Sequence, residues 1–267
     1  MHEEIKRAVR DLLATGKIEG FLALKQDGAH VGPHLFVQAD EVEHLVIGDE
    51  SGPGRARYPL LKIVQTLLQA KPNSRFGVLV RGCDERALKA LLAWNQIADE
   101  QIITLGVACP SSLAKACQCA QPYPEKWLEG EATETVEFQG SPLEKLSPPE
   151  RLFSWLEQFE KCIKCYGCRN ICPMCFCNEC ALESEDVVSR GEIPPEFPMF
   201  HLVRALHMIG RCVDCGLCEE ACPADIPLRT LYKKINDIVD DHFRFRPGFN
   251  TDKRSPLHEV AEPPPTR

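Results

Sequence analysis

Eight of the fifteen cysteines fall in two runs of the same spacing. Cys162-Ile-Lys-Cys165-Tyr-Gly-Cys168-Arg-Asn-Ile-Cys172-Pro173 and Cys212-Val-Asp-Cys215-Gly-Leu-Cys218-Glu-Glu-Ala-Cys222-Pro223 both read C-x2-C-x2-C-x3-C-P. That is a ligand spacing for a four-iron, four-sulfur cluster. Three thiolates two residues apart wrap a tight loop around one face of a cubane, and the fourth iron lies beyond that loop's reach. Two such runs imply two clusters and a path for electrons between them. Pro173 and Pro223 turn the chain away after the last thiolate, since proline fixes φ and removes a donor. Zinc sites more often show C-x2-C pairs separated by a longer loop, a pattern that two full runs ending in Pro do not match.

The fourth Cys of such a run ligates the other cluster in two-cluster ferredoxins. On that pattern Cys162, Cys165, Cys168 and Cys222 hold one cluster, and Cys212, Cys215, Cys218 and Cys172 hold the second. Seven cysteines remain. Cys83 follows the apolar stretch Phe76–Val80, and Cys109 follows Ile102–Val107. If these stretches are neighbouring parallel strands, both thiols emerge at the carboxyl edge of the sheet, where α/β proteins bind ligands. Cys83 also opens a helix, whose dipole favours a thiolate. With Cys117 and Cys119 close by, four thiols could hold a third cluster; the alternative is that they are small buried apolar residues. Cys175, Cys177 and Cys180 crowd behind the first run. They are open to three readings: a zinc site, a further cluster completed from elsewhere, or no metal at all.

Elements must position these groups. Residues 1–120 alternate helical and strand patterns. Helical stripes run over Glu4–Ala14, Tyr58–Ala70, Asp84–Trp94 and Ser111–Cys117, and strands over Phe21–Leu24, His44–Ile47, Phe76–Val80 and Ile102–Val107. Apolar strands without alternation, joined by helices, predict an α/β domain with a mostly parallel sheet. Residues 121–148 are acidic and rich in Pro and turns, and read as a linker or extended strap. Ser147 and Glu150 form a capping signal that opens residues 149–243, an α-rich, ferredoxin-like domain for two [4Fe-4S] clusters. Its runs are joined by a longer connection than a small ferredoxin needs, including a helix over Met199–Ile209. There His201, Arg204 and His207 share a face, which we expect to pack rather than bind metal. A helix over Leu228–Phe243 follows, and residues 244–267 read as a disordered tail.

Composition narrows the partners. The 267 residues carry a net charge of −8, which argues against nucleic acid, because phosphate binding needs a basic face. No apolar run reaches the length of a membrane span, and the N-terminus has no signal-peptide core. Fifteen cysteines without an export signal point to metal ligands in a reducing cytoplasm, and clusters of this type to an anaerobic setting.

These residues resemble a known family, the beta subunits of coenzyme F420-reducing hydrogenases and F420-dependent formate dehydrogenases. In the N-terminal half the resemblance rests on Gly54-Arg-Ala-Arg57-Tyr58, Arg81-Gly82-Cys83-Asp84 and Gly106-Val-Ala-Cys109. In the C-terminal half Cys165–Cys180 and His201–Cys215 are similar to bacterial members linked to heterodisulfide-reductase-like complexes. The resemblance implies an iron–sulfur flavoprotein, with FAD near Arg57, Tyr58 and Gly82, and Arg55 and Arg81 as further candidates for its pyrophosphate. It also implies partner subunits of heterodisulfide-reductase-like, hydrogenase or formate dehydrogenase type. The chain departs from the family pattern at Ala56 and at Arg81-Gly82, and its flavin domain is shorter. No G-x-G-x-x-G or P-loop supports a nucleotide site independently. Three functions follow as expectations: an electron-transfer subunit relaying between the two clusters and an N-terminal flavin or third cluster; an FAD-dependent reductase or dehydrogenase of coenzyme F420 or a related hydride carrier; and a cluster protein with a cofactor-free docking domain.

Overall fold

The computed structural model describes residues 2–48, 57–189, 191–196, 198–250 and 253–256. Gly54, Arg55 and Ala56 lie outside these residues, as does most of the tail beyond residue 250. The chain forms two compact units, residues 1–138 and 139–267.

In the first unit, strands β1 (Gly20–Asp27), β2 (His30–Phe36), β3 (Leu45–Val46), β4 (Phe76–Val80) and β5 (Ile102–Gly106) form one sheet. Its order is β2-β1-β4-β5, with β3 also pairing β1. The β1–β4 and β4–β5 pairs are parallel, with Phe76 opposite both Gly20 and Ile102. The β1–β2 and β1–β3 pairs are antiparallel. The expected mostly parallel sheet is therefore corrected to a mixed one. The strand absent from the sequence reading is β2. Gly32 and Pro33 interrupt its apolar pattern, and it is tolerated because an edge strand needs only one ladder. Gly28-Ala29, with Gly28 at φ 60°, is the two-residue turn between the paired Asp27 and His30 that joins it to β1.

Every residue of β4 is buried, as its unbroken apolar run requires for a central strand. Helices α1 (Glu3–Ala14), α2 (Leu60–Ala70) and α3 (Gly82–Ala93) pack in this unit, with α2 against β1 and β4. Their inward stripes are Ile5 and Val9 of α1, Leu61, Val64 and Leu68 of α2, and Ala87 and Leu91 of α3. A short α4 (Ser111–Ala116) follows β5. The first part of the expected linker is a strap bonded to the sheet's carboxyl edge. The amides of Cys109 and Ala108 donate to the Pro122 and Glu129 carbonyls at 2.8 and 3.0 Å, and the Leu128 amide donates to Gly106 at 2.9 Å.

Among the described residues the second unit consists of helices and turns: α5 (Pro148–Glu160), α6 (Gly167–Asn170), α7 (Met199–Leu206), α8 (Leu217–Glu220) and α9 (Leu228–Phe243). Ser147 and Glu150 form the capping box that the sequence signalled, the Ser147 amide donating to the Glu150 carboxylate at 3.1 Å. α6 packs on α8, and α9 on both α7 and α8. Beyond α9, in the stretch expected to be disordered, Phe245 and Ser255 are 6% and 2% exposed.

Candidate metal centres

The two cysteine runs fold alike. Lys164 and Tyr166 lie in the left-handed region at φ 53° and 58°, and their counterparts Asp214 and Gly216 at 53° and 77°. Each loop thus reverses twice within seven residues and then enters a four-residue helix, α6 or α8. Left-handed backbone is unfavourable for any residue with a Cβ, so its use at matching positions marks a constraint beyond local propensity. After each short helix the chain turns again: the Cys172 amide donates to the Arg169 carbonyl and the Cys222 amide to Glu219. Backbone amides point at sulfur in the first loop, Lys164 N–H to Cys162 at 3.4 Å and Gly167 N–H to Cys165 at 3.5 Å.

The sulfurs sort into two groups. Burial pushes the Cys162 thiol up, the Lys164 amide opposes it, and the thiols acting on it are Cys168, Cys222 and Cys165. Burial likewise raises Cys168, whose neighbouring thiols are Cys165 and Cys222. In the second group burial raises Cys218 well above its usual range, followed by Cys215, Cys212 and Cys172. Cys172, Cys212, Cys215 and Cys218 also line a single cavity with Arg204 and Tyr232. Cys222 thus lies within electrostatic reach of Cys162 and Cys168, and Cys172 shares a cavity with Cys212, Cys215 and Cys218. Among the described residues no three His, Cys, Asp or Glu side chains close on one point as a single metal ion needs. The corners of a four-iron cubane are farther apart than the donors of one ion, so that spacing and the two sulfur groups are compatible.

Two arginines flank these sulfurs. Arg229 donates from Nε and Nη2 to the two Asp214 carboxylate oxygens at 2.6 and 3.1 Å. Arg204, 2% exposed, donates from Nη2 to the Cys168 carbonyl at 3.2 Å and stands with its Cζ 5.6 Å from the Tyr232 ring centre. Tyr232 and the Asp214–Arg229 pair were not identified from the sequence. Tyr232 sits in the buried stripe of α9 that also holds Leu228, so periodicity marks it as core and nothing marks it as cavity-lining. On α7, His201 is 1% exposed and stacks on Phe159 with ring centres 4.4 Å apart. Burial lowers its pKa to about 4. His201 and Arg204 pack as expected, while His207 on the same helix face is exposed.

The other seven cysteines gather less tightly. The Cys175 thiol hydrogen-bonds Cys172 and lowers its pKa. Cys177 accepts from Arg211 at 3.6 Å, and Cys180 bonds Arg169. Cys175, Cys177 and Cys180 thus have different partners, Cys172, Arg211 and Arg169. In the first unit Cys83 lies within electrostatic reach of Cys119 and Arg57. Arg57 donates to Cys117 at 3.4 Å, and Arg81 donates to Cys109 at 3.5 Å. The thiolate expected at Cys83 is disfavoured, because burial and then Asp84 push its pKa well up. Asp84 caps α3, accepting the Arg81 amide at 3.0 Å.

No family model matches the chain. Among curated proteins, it is 41% identical over 111 residues to the F420-dependent formate dehydrogenase subunit beta of Methanocaldococcus jannaschii, covering 42% of this chain and 29% of that one. It is 42% identical over 128 residues to the F420-dependent formate dehydrogenase 1 subunit beta of Methanococcus maripaludis, covering 48% and 28%. The matched segment is similar to the beta subunits of F420-dependent formate dehydrogenases. The match spans under a third of the length of these relatives.

The positions that the resemblance to this beta-subunit family links to FAD are engaged within the protein. The Tyr58 hydroxyl donates to the Val31 carbonyl of β2 at 2.7 Å. Arg81 Nη2 donates to the Ile47 carbonyl at 2.7 Å. A Cβ on Gly82 would collide with the Gln121 carbonyl and stand 2.7 Å from the Tyr123 carbonyl oxygen, so the strap occupies the close approach that this glycine allows. Among the described residues Arg57, Tyr58 and Gly82 thus have different protein neighbours, the Cys117 thiol, the Val31 carbonyl and the strap.

Proposed function

We propose that the chain is an iron–sulfur electron-transfer subunit of an oxidoreductase complex, relaying electrons through two [4Fe-4S] clusters. The observation that supports this reading is that Cys172 lines one cavity with Cys212, Cys215 and Cys218, while Cys222 lies within electrostatic reach of Cys162 and Cys168. Cys162, Cys165, Cys168 and Cys222 would hold one cluster, and Cys212, Cys215, Cys218 and Cys172 the other. Bound clusters supply one-electron chemistry at potentials set by charge, hydrogen bonds to sulfur and solvent access. The protein's part is to orient the thiolates with paired left-handed turns, to aim the Lys164 and Gly167 amides at sulfur, and to keep the second site drier than the first. Cys165 is exposed, which makes the first site the natural point of exchange with a partner subunit. In the described residues no helix is long and apolar enough to cross a membrane.

The test is metal analysis of the full chain purified without oxygen. About eight irons and eight acid-labile sulfides per chain, reducible in two one-electron steps, are expected. Four or fewer would defeat the reading. More than eight would bring Cys83, Cys109, Cys117 and Cys119 forward as a third site.

The similarity to F420-dependent formate dehydrogenase subunits favours a second reading, oxidation or reduction of coenzyme F420, at the FAD that the family resemblance implies. Acid release of about one flavin per chain, together with turnover of F420, would support it. Absence of flavin from protein with intact clusters would defeat it.

A further inference from the structure

Arg204 touches both cysteine runs, bonding the Cys168 carbonyl and lining the cavity of Cys172, Cys212, Cys215 and Cys218. It acts on Cys168 of the first group and on Cys172 and Cys218 of the second, and it lines the cavity of the second. It is 2% exposed, and among the described residues no carboxylate forms an ion pair with it. Its Nε–H has no acceptor, and the Tyr232 hydroxyl on the same cavity has no partner either. A buried, unpaired charge is among the costliest features a fold can carry. Arg229, the other arginine on that cavity, differs because Asp214 neutralises it.

We propose that Arg204 is the shared counter-charge of the two cluster sites and sets the potentials of both, an inference that rests on the two-cluster reading above. A four-iron cluster with four thiolates is anionic, and each added electron makes it more so. A fixed guanidinium stabilises the reduced form more than the oxidised one and raises the potential. Arginine does not deprotonate in proteins, so the charge is constant at any working pH. Because Arg204 reaches both groups, its removal lowers both potentials. The Nε–H and the Tyr232 hydroxyl are donors left free for cluster sulfur on the second side. The helix that carries Arg204 lies in the long connection between the runs, giving that connection a role that chain linkage alone does not require.

The experiment uses the full chain, loaded and purified without oxygen, with Arg204→Met, Arg204→Gln and Arg204→Lys beside the wild type. Iron and sulfide are counted first, and then the midpoint potential of each cluster is followed by spin resonance. Arg204→Met and Arg204→Gln should keep both clusters and weaken electron uptake at each at least tenfold, about 59 mV for a one-electron couple. Arg204→Lys should lie nearer the wild type. Full iron content with unchanged potentials, or a shift at one cluster alone, overturns the inference and leaves the two-cluster reading standing. A wild-type chain with no reducible cluster overturns both. If Arg204→Met and Arg204→Gln load no iron, Arg204→Lys must recover loading and near-native potentials; failure to do so overturns the counter-charge role.

Discussion

Lys164 and Asp214 occupy the same position in the two cysteine loops, and both take φ 53°. Each is held there by its side chain. Lys164 Nζ donates to the Ser189 carbonyl at 2.5 Å and lies 3.7 Å from the Glu196 carboxylate. Asp214 accepts two bonds from Arg229. The left-handed turn costs roughly 1–2 kcal/mol per residue, and these anchors offset it. The two loops are thus the same fold stabilised by ion pairs of opposite polarity.

Removing the Asp214 anchor leaves Arg229 buried without its carboxylate. Asp214→Ala should destabilise the second unit by about 2–4 kcal/mol, read as a fall in thermal midpoint of the cluster-loaded chain. Asp214→Asn, which keeps one acceptor, should lose less. Equal stability of Asp214→Ala and wild type would show that the pair contributes nothing to the loop.

The proposed exchange of Cys172 and Cys222 predicts which double substitutions are redundant. Cys222→Ala and Cys162→Ala strike the same cluster, so the pair should lose little more iron than either alone. Cys222→Ala with Cys212→Ala strikes both, and the losses should add. Iron counts with the reverse pattern would mean that each run keeps its own fourth ligand.

At the sheet edge, Gly106 has no room for a side chain. A Cβ there would collide with the Lys126 carbonyl and lie 2.8 Å from Pro124 Cγ. Gly106→Ala should therefore lift the strap and destabilise the first unit by about 1–3 kcal/mol. Limited proteolysis should cut the variant within residues 121–138 faster than the wild type. An unchanged cleavage pattern would mean that the strap is held elsewhere.

The sequence is most informative where one residue type does one job. The cysteine spacing announces both loops, the Ser147–Glu150 box starts α5, and the apolar run of β4 marks a central strand. It is least informative where a tertiary partner decides. β2 is hidden by Pro33, which only an edge position accommodates. The matching left-handed turns are spread over Lys164, Tyr166 and Asp214, residue types with little turn signal in common. Tyr232 reads as one more apolar-stripe residue, and its place on the cavity depends on α7 and α9 meeting. The convergence of Arg204 on both sulfur groups likewise depends on a packing that no local pattern encodes.

His201 makes the second unit acid-sensitive for a reason separate from the clusters. Burial against Phe159 and Phe200 lowers its pKa from 6.5 to about 4, and neither ring nitrogen has a partner. A histidine whose folded pKa lies below its unfolded value binds more protons when unfolded, so stability falls as pH drops through that window. Between pH 7 and 5 the loss should be about 2 kcal/mol. Thermal unfolding of the cluster-loaded chain across that range should show the slope, and His201→Phe, which keeps the stacked ring and cannot take a proton, should flatten it. Residual acid sensitivity in His201→Phe equal to that of the wild type would assign the slope to other groups, and the neutral ring would then be packing alone.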